Sequence, residues 1–326
     1  VETIAITMGE PAGIGPEVIV KALFCAEIRN YSNPIVIGDV RIMKEAVKLT
    51  GLPIEISPIS NPLESKPDIG KIEVIDIKSS VSFKRGMPSK DAGLAIVKYI
   101  KKAVRLALKK EVHGIVTAPI SKESLKMGGY SWHGHTELLA ELTNTKDFAM
   151  MFVSEKLKLI LTTIHVSIRE VPGLINEKLI YKTIMLAQKG AEMLRIKNPK
   201  IAVSGLNPHA GESGLFGKEE IKAIAPAIRK AHNTGIMVSG PYPPDVVFYK
   251  ACNGEFDIVV CMYHDQGLIP FKMLAFDTGV NVTVGLPIIR TSPDHGTAFD
   301  IAWKNKANPS SMLEAIKLRS EERRVG

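Results

Sequence analysis

Strand-like apolar runs alternate with segments of helical periodicity along the whole chain, and no other feature narrows its fold so far. The runs are "TIAITMG", "NPIVIGD", "GKIEVIDI", "HGIVTAPIS", "AMMFVSE", "LKLILTTIH", "KIAVSGLN" and "FDIVVCMYH". Parallel neighbours in a sheet cannot be joined by a tight turn, so each pair needs a crossover, which a helix supplies. The alternation therefore predicts an α/β protein with a largely parallel sheet. Among the helices, "SKDAGLAIVKYIKKAVRLALKK" opens on Ser89 as N-cap and sets Leu94, Val97, Ile100, Val104 and Leu108 at helical spacing. "INEKLIYKTIMLAQKGAEMLRI" and "KEEIKAIAPAIRKAHNTG" behave likewise, the second with Pro226 as a kink and Gly235 as its stop. With 326 residues, 45% of them hydrophobic and 23% charged, the chain is long and apolar enough for two globular domains. It contains no internal repeat and no low-complexity linker, so adjacent Gly128 and Gly129 are the best marked hinge.

Three of the predicted strands end on a histidine. "DIVVCMYHDQGLIPFK" runs apolar from Ile258 to Tyr263, then turns polar at His264, Asp265 and Gln266, and its Gly and Pro predict a buried strand followed by a loop. "LKLILTTIHVSIREVPG" delivers His165 in the same way, and "KIAVSGLNPHAGESG" delivers His209 after a turn through Asn207 and Pro208. Ligands of open α/β sheets collect at the carboxyl edge. A lone histidine there is more often a hydrogen-bonded structural residue than a ligand. Three neutral imidazoles with one position left open would instead make a catalytic divalent-metal site. Their spacing along the chain is too wide for a local metal motif, so the outcome depends on where the sheet puts the three strands.

Several loops carry further chemistry. "MGEPAGIGPE" has glycines at Gly9, Gly13 and Gly15, which matches neither the dinucleotide fingerprint nor a P-loop; it is either a tight structural turn or a ligand-facing loop. "WHGHTELLAELTN" sets His133, His135 and Thr136 before a helix, where they either cap it or bind an anion at its N-terminus. "PFKMLAFDTGVNVTVGLPIIRTSPDHGTAFDIA" gathers Lys272, Asn281, Arg290, Thr291, Asp294 and His295. A guanidinium emerging from the apolar "VGLPII" calls for an anionic partner. Asp245 and Asp265 are the candidate catalytic carboxylates; each could be an ordinary turn residue or could orient a ligand imidazole or a substrate amine.

The net charge of +8 comes from lysines and arginines spread along helices, and aromatics make up only 6%, so solvated helix faces explain it better than nucleic-acid binding. A modest positive field suits an anionic substrate. The odd set Cys25, Cys252 and Cys261 has no C-x-x-C spacing and reads as reduced, buried thiols. No run of about eighteen apolar residues appears and the first residues show no basic leader, so a soluble, cytoplasmic protein without a membrane partner is expected.

Taken together, "TMGEPAGIGPE", "GIVTAPISK", "GHTE", "NPHAGE", "YHDQGLIPFK", "GVNVTVGLPIIRTSPDHGTAFDIA" and "ANPSSM" resemble the 4-hydroxythreonine-4-phosphate dehydrogenase family of vitamin B6 biosynthesis over nearly the whole chain. The resemblance implies two α/β/α domains flanking a cleft, in the isocitrate and isopropylmalate dehydrogenase-like fold, and NAD bound without the usual fingerprint. The expected first domain is residues 1–128 and 290–326, with the cofactor loops. The second, residues 129–289, would hold the metal ligands and a homodimer interface shared by the active site. By resemblance, His165, His209 and His264 hold a divalent cation, zinc or alternatively magnesium or cobalt. His135, Thr136, Lys272, Asn281 and Arg290 match substrate positions. Gly13, His295, Gly296, Asp300 and Asn308 match the cofactor region, with NADP as the alternative to NAD. The chain departs from the pattern at Trp303 and Asn305, where glycines are familiar. The implied reaction is metal-dependent oxidative decarboxylation of 4-phosphohydroxy-L-threonine to 3-amino-2-oxopropyl phosphate. The sister branch acts on 4-phospho-D-threonate or 4-phospho-D-erythronate and tends to have a longer segment than the "MLAFDT" found here between "PFK" and "GVN". A three-histidine hydrolase and a non-catalytic phospholigand-binding protein are the rivals from other classes.

Overall fold

The computed structural model describes residues 2–79, 83–132 and 134–321. His133 and the last five residues of the charged tail lie outside the described residues. The chain divides into two compact units, Val1–Lys146 with Leu286–Gly326, and Asp147–Gly285. In chain order the first unit contains β1 (Glu2–Thr7), α1 (Gly15–Phe24), α2 (Ile28–Tyr31), β2 (Ser32–Gly38), α3 (Val40–Thr50), β3 (Glu55–Ile59), β4 (Lys71–Asp76), α4 (Lys90–Leu108), β5 (Ile115–Thr117), α5 (Lys122–Met127) and α6 (His135–Leu142). The second contains β6 (Ala149–Val153), β7 (Lys158–Leu161), α7 (Val171–Leu174), α8 (Glu177–Met193), β8 (Ile201–Ser204), α9 (Ala225–His232), β9 (Val238–Tyr242), α10 (Pro244–Cys252), β10 (Ile258–Cys261), α11 (His264–Ala275) and β11 (Val280–Val284). The chain then returns to the first unit with β12 (Arg290–Pro293) and α12 (Ser310–Glu321).

Both boundaries differ from the expected ones at 128/129 and 289/290. Gly128 is the C-cap of α5, its amide donating to Ser124 O at 2.9 Å, and α5 and α6 both pack on α4. The glycine pair therefore ends a helix inside the first unit instead of hinging two domains.

The first unit's strands run β3-β4-β2-β1-β5-β12, every neighbouring pair parallel. A parallel sheet covered on both faces needs apolar side chains on both, and Ile4, Ala5, Ile6, Ile35, Val36 and Ile37 are all fully buried. α4 forms as predicted, with Ser89 Oγ accepting from Ala92 N at 3.2 Å. Leu108, at its last turn, is exposed while Ala103, Val104 and Leu106 are buried, so the apolar stripe ends before the helix does. At the carboxyl edge the loops after β1 and β5 meet backbone to backbone. Gly9 takes φ +70° there, and a Cβ on it would lie 2.7 Å from Ala118 O, so no other residue fits. That resolves the structural half of the glycine-rich loop.

The second unit's strands run β11-β6-β7-β10-β8-β9. β7, β10, β8 and β9 are parallel, but β6 is antiparallel to both β7 and β11. The short link Ser154–Leu157, closed by Ser154 N to Leu157 O at 3.0 Å, leaves no room for a crossover, so β6 and β7 form a hairpin. Phe152 and Phe271 meet edge to face at 5.7 Å in the core beneath this sheet, each burying on the order of 2 kcal/mol of apolar surface.

The segment after β10 is helix, not loop: α11 begins at His264 and contains both Gly267 and Pro270. Gly267 lets the helix pack closely on the sheet, since a Cβ there would stand 3.0 Å from Cys261 Sγ and Leu159 Cδ1 and those side chains would have to shift. Pro226 sits in the first turn of α9, which continues without a break from a π-helical segment Glu220–Ile224. Gly235 closes that helix at φ +89°. The three cysteines are unpaired, with Cys261 buried and Cys25 and Cys252 only partly so. Among the described residues, no helix is long and apolar enough to cross a membrane.

Candidate functional site

Strand order answers the question left by the sequence. β7, β10 and β8 are adjacent and parallel, so their carboxyl ends lie side by side, and each leads to one histidine: His165, His264 and His209. The first two are brought close. Thr162 N donates to Cys261 O at 2.8 Å, and Thr163 Oγ1 donates to Met262 O at 2.8 Å, lacing the segment after β7 to the end of β10. The rings of His165 and His264 stand 5.8 Å apart, beside Thr163, Tyr263 and Asp265, on a cavity of about 290 Å³.

His209 lies on a neighbouring cavity of about 400 Å³ with Pro208, Pro244 and Asp245. Tyr263 lines both cavities. Each candidate carboxylate thus accompanies one imidazole. Asp265 Oδ1 is 2.7 Å from His264 Nδ1, which leaves Nε2 for another partner, and Asp245, in the first turn of α10, shares the cavity with His209.

The turn carrying His209 is unusual. His209, Ala210, Gly211, Glu212 and Ser213 all take positive φ, between 43° and 81°, which makes one turn of left-handed helix. Each non-glycine residue there costs about 1–2 kcal/mol, so the surrounding structure must over-determine the turn. His165 also has positive φ, 29°.

In kind the imidazoles suit a divalent cation: three nitrogen donors follow adjacent strands, and one is paired with a carboxylate. As the side chains stand, no three His, Cys, Asp or Glu groups among the described residues are gathered tightly enough to hold an ion. His209 is the one that stands apart, next to Phe216.

Two candidate substrate residues also belong to this unit. Asn281, on β11, is buried, and its Oδ1 has no hydrogen-bond partner among the described residues. Lys272, in the last turn of α11, sets Nζ 5.7 Å from the Phe276 ring.

The other candidates belong to the first unit. His135 and Thr136 open α6, whose N-cap is Gly134 with no side-chain cap bond, so the capping reading does not hold. His135 Nε2 is buried with no partner among the described residues. Burial and the nearby Arg290 charge hold this imidazole well below its usual range, so it is neutral at physiological pH. Arg290 begins β12 at 2% exposure; burial pulls its guanidinium down to about 9, still protonated at neutral pH.

The cofactor candidates split. Gly13 meets the loop after β12, with Ile14 N donating to Thr297 O at 3.1 Å, next to His295 and Gly296. Asp300 is exposed, and its carbonyl accepts from Lys304 Nζ at 2.7 Å. Asn308 Oδ1 accepts from Ser310 N and Oγ, at 3.0 and 2.7 Å, and so caps α12. Trp303 and Asn305 take φ 60° and 59°, the left-handed region that explains why glycine is familiar there. Trp303 is pinned by Nε1 to Pro11 O at 3.2 Å and by Arg85 at 4.5 Å over its ring.

Sequence reasoning missed three residues. Glu10 is fully buried, and burial pushes its carboxyl up to about 7 against the hydrogen bonds to it. Thr117 carries the Arg290 side chain, and Glu220 is a buried acid whose Oε1 accepts the amides of Leu206 and Asn207, ahead of the turn that carries His209. An acid inside the otherwise apolar "MGEPAG" was the one legible signal; "IVT" and "KEEI" gave none.

Residues 30–319 match the family described as "Pyridoxal phosphate biosynthetic protein PdxA". Over 318 residues the chain is 46% identical to the 4-hydroxythreonine-4-phosphate dehydrogenase of Desulforapulum autotrophicum, covering 97% of this chain and 94% of that one. It is also 46% identical over 318 residues to the D-threonate 4-phosphate dehydrogenase of Pectobacterium atrosepticum, covering 97% of each. The crystal structure of 4-hydroxythreonine-4-phosphate dehydrogenase from Klebsiella pneumoniae superposes with a TM-score of 0.91 at 44% identity, over 99% of both chains.

Proposed function

Because the chain belongs to the PdxA family, whose named relatives are dehydrogenases of phosphorylated four-carbon acids, we propose that it oxidises and decarboxylates 4-phosphohydroxy-L-threonine to 3-amino-2-oxopropyl phosphate, with NAD as oxidant and a divalent cation. The observation that carries the reading is the delivery of three histidines by three adjacent parallel strands. The equal identity to a D-threonate 4-phosphate dehydrogenase supports that phosphorylated acid as a second substrate reading.

When bound, the nicotinamide supplies the oxidant for the C3 hydroxyl, and the cation supplies the Lewis acidity that favours loss of carbon dioxide from the resulting β-keto acid. His165, His209 and His264 would hold the cation, zinc in the first instance. Asp265 keeps the His264 imidazole oriented through Nδ1. Arg290, His135 and Thr136 are the proposed substrate-binding residues of the first unit; Lys272 and Asn281 are those proposed for the second. His135, held neutral, offers a hydrogen bond without a second charge beside Arg290. Binding energy from the phosphate, remote from C3, is converted into positioning of the reacting carbon. Gly13, His295, Gly296, Asp300 and Asn308 mark the cofactor region, with NADP the alternative cofactor.

Ile269 and Met273 on α11, and Phe276 just after it, are 60%, 83% and 71% exposed, which supports a homodimer covering this face. The three unpaired cysteines support a reducing, cytoplasmic setting. The test is NADH formation with 4-phosphohydroxy-L-threonine and with D-threonate 4-phosphate, each before and after chelation. Chelator-sensitive turnover of the first compound is expected. Turnover of the second alone would move the substrate, and no NADH from either would sink the reading in favour of a hydrolase or a ligand-binding protein.

A further inference from the structure

Around Glu220 the ordinary burial preference is inverted. Glu220 is 3% exposed while its neighbour Ile221 is 54% exposed, because the buried positions Glu220, Ala223, Ile224, Ala227 and Ile228 recur at helical spacing and set the acid on the inward face. Glu220 opens the π-helical segment Glu220–Ile224, a wide turn of a kind that recurs at functional sites.

The buried carboxylate has a specific set of partners. Oε1 accepts the backbone amides of Leu206 and Asn207, both at 2.8 Å, and Oε2 accepts Asn207 Nδ2 at 3.0 Å. The turn wraps around it: a Cβ on Gly211 would lie 2.7 Å from Oε2. Leu206 and Asn207 lead from β8 into the left-handed turn, with Pro208 between them and His209.

We propose that Glu220 is the positioning residue for His209, holding the left-handed turn that sets the imidazole at the carboxyl end of β8. Charge-assisted bonds to two successive amides fix the entry to the turn, and the bond to the Asn207 side chain fixes its direction. The strained backbone of residues 209–213 persists because this carboxylate anchors its entry. Asp265 does the same for His264 by touching the ring, whereas Glu220 acts through the main chain. The proposal rests on His209 being a cation ligand.

The experiment strips metal from the full-length protein and titrates it with Zn²⁺ and Co²⁺ by calorimetry, alongside a thermal melt without metal. Wild type, His209→Ala, Glu220→Gln and Glu220→Ala are compared. Wild type should bind, and His209→Ala should lose most of that affinity. Glu220→Gln keeps an acceptor for the two amides but sets an NH₂ group against Asn207 Nδ2, and it should weaken binding about 10-fold; Glu220→Ala should weaken it towards 100-fold. Glutamine preserves size and one acceptor, so it remains informative if the alanine variant does not fold. Wild-type affinity in Glu220→Gln, with or without a lower Tm, overturns the positioning role while leaving the ligand role of His209 intact. Failure of wild type to bind either ion, or undiminished binding by His209→Ala, overturns the ligand reading and the positioning role with it.

Discussion

Arg290 grips Thr117 with one edge of its guanidinium: Nη2 and Nε donate to the same Oγ1 at 2.7 and 3.1 Å. Both residues are buried, so the fork fixes the plane of the guanidinium where solvent cannot compete. A hydrogen bond to a charged group contributes about 1.5–3 kcal/mol. Thr117→Val should therefore raise KM for the phosphorylated substrate about 10-fold or more, with a smaller change in kcat, and Thr117→Ser should stay near wild type. Arg290→Met should raise KM further. Steady-state kinetics on the three variants reads this, and an unchanged KM in Thr117→Val removes Thr117 from the binding machinery.

Glu10 makes stability depend on pH in the direction opposite to a salt-bridged acid. Its carboxyl is raised from 4.5 to about 7 by burial. Between those values the unfolded chain has already released the proton while the folded chain keeps it. The folded state then binds more protons, and stability falls as pH rises through this window. The full effect is at most about 3 kcal/mol. Glu10→Gln should flatten the decline in Tm between pH 4.5 and 7 and melt above wild type at neutral pH. Parallel Tm curves for the two proteins would show that Glu10 does not titrate in this range.

Trp303 offers an optical test of the cofactor region. The chain has two tryptophans, and Trp132→Phe leaves Trp303 as the reporter. Its ring is pinned between Pro11 O and Arg85, next to the segment that meets Gly13. NAD should change the emission of this variant saturably, and Trp303→Ala should weaken NAD binding. Emission unaffected by saturating NAD would place the cofactor elsewhere.

The exposed apolar face of α11 gives the oligomer test. Sedimentation should show a dimer for wild type and a shift to monomer for the double variant Met273→Glu, Phe276→Glu. A wild-type monomer at micromolar concentration would end the shared-site reading.

Apolar runs and helical periodicity made the strands legible, and with them the fact that β7, β8 and β10 each lead to a histidine. The order β7-β10-β8, which makes those histidines neighbours, is a long-range property that no local pattern encodes. The β6–β7 hairpin was legible in principle, since only four residues part its strands. Reading Gly267 and Pro270 as punctuation hid α11, because close packing of the helix on Leu159 and Cys261 overrides their local preference. Gly128 and Gly129 misplaced the boundary for the same reason: a helix stop and a hinge look alike in one dimension. Glu220 was passed over because an acid on a buried helix face gains meaning only from its partners, and Leu206 and Asn207 are more than ten residues away along the chain. Thr117 became meaningful only once β12 was paired beside β5.

The insertion of β10 between β7 and β8 also bears on the order of events during synthesis. A nascent chain that has emerged only as far as β9 carries His165 and His209 on strands that do not yet share a neighbour. The last parallel strand of the second unit to arrive, β10, both bridges that gap and brings His264 with it. Assembly of the histidine edge is thus a late event, and a truncated or stalled chain cannot imitate it.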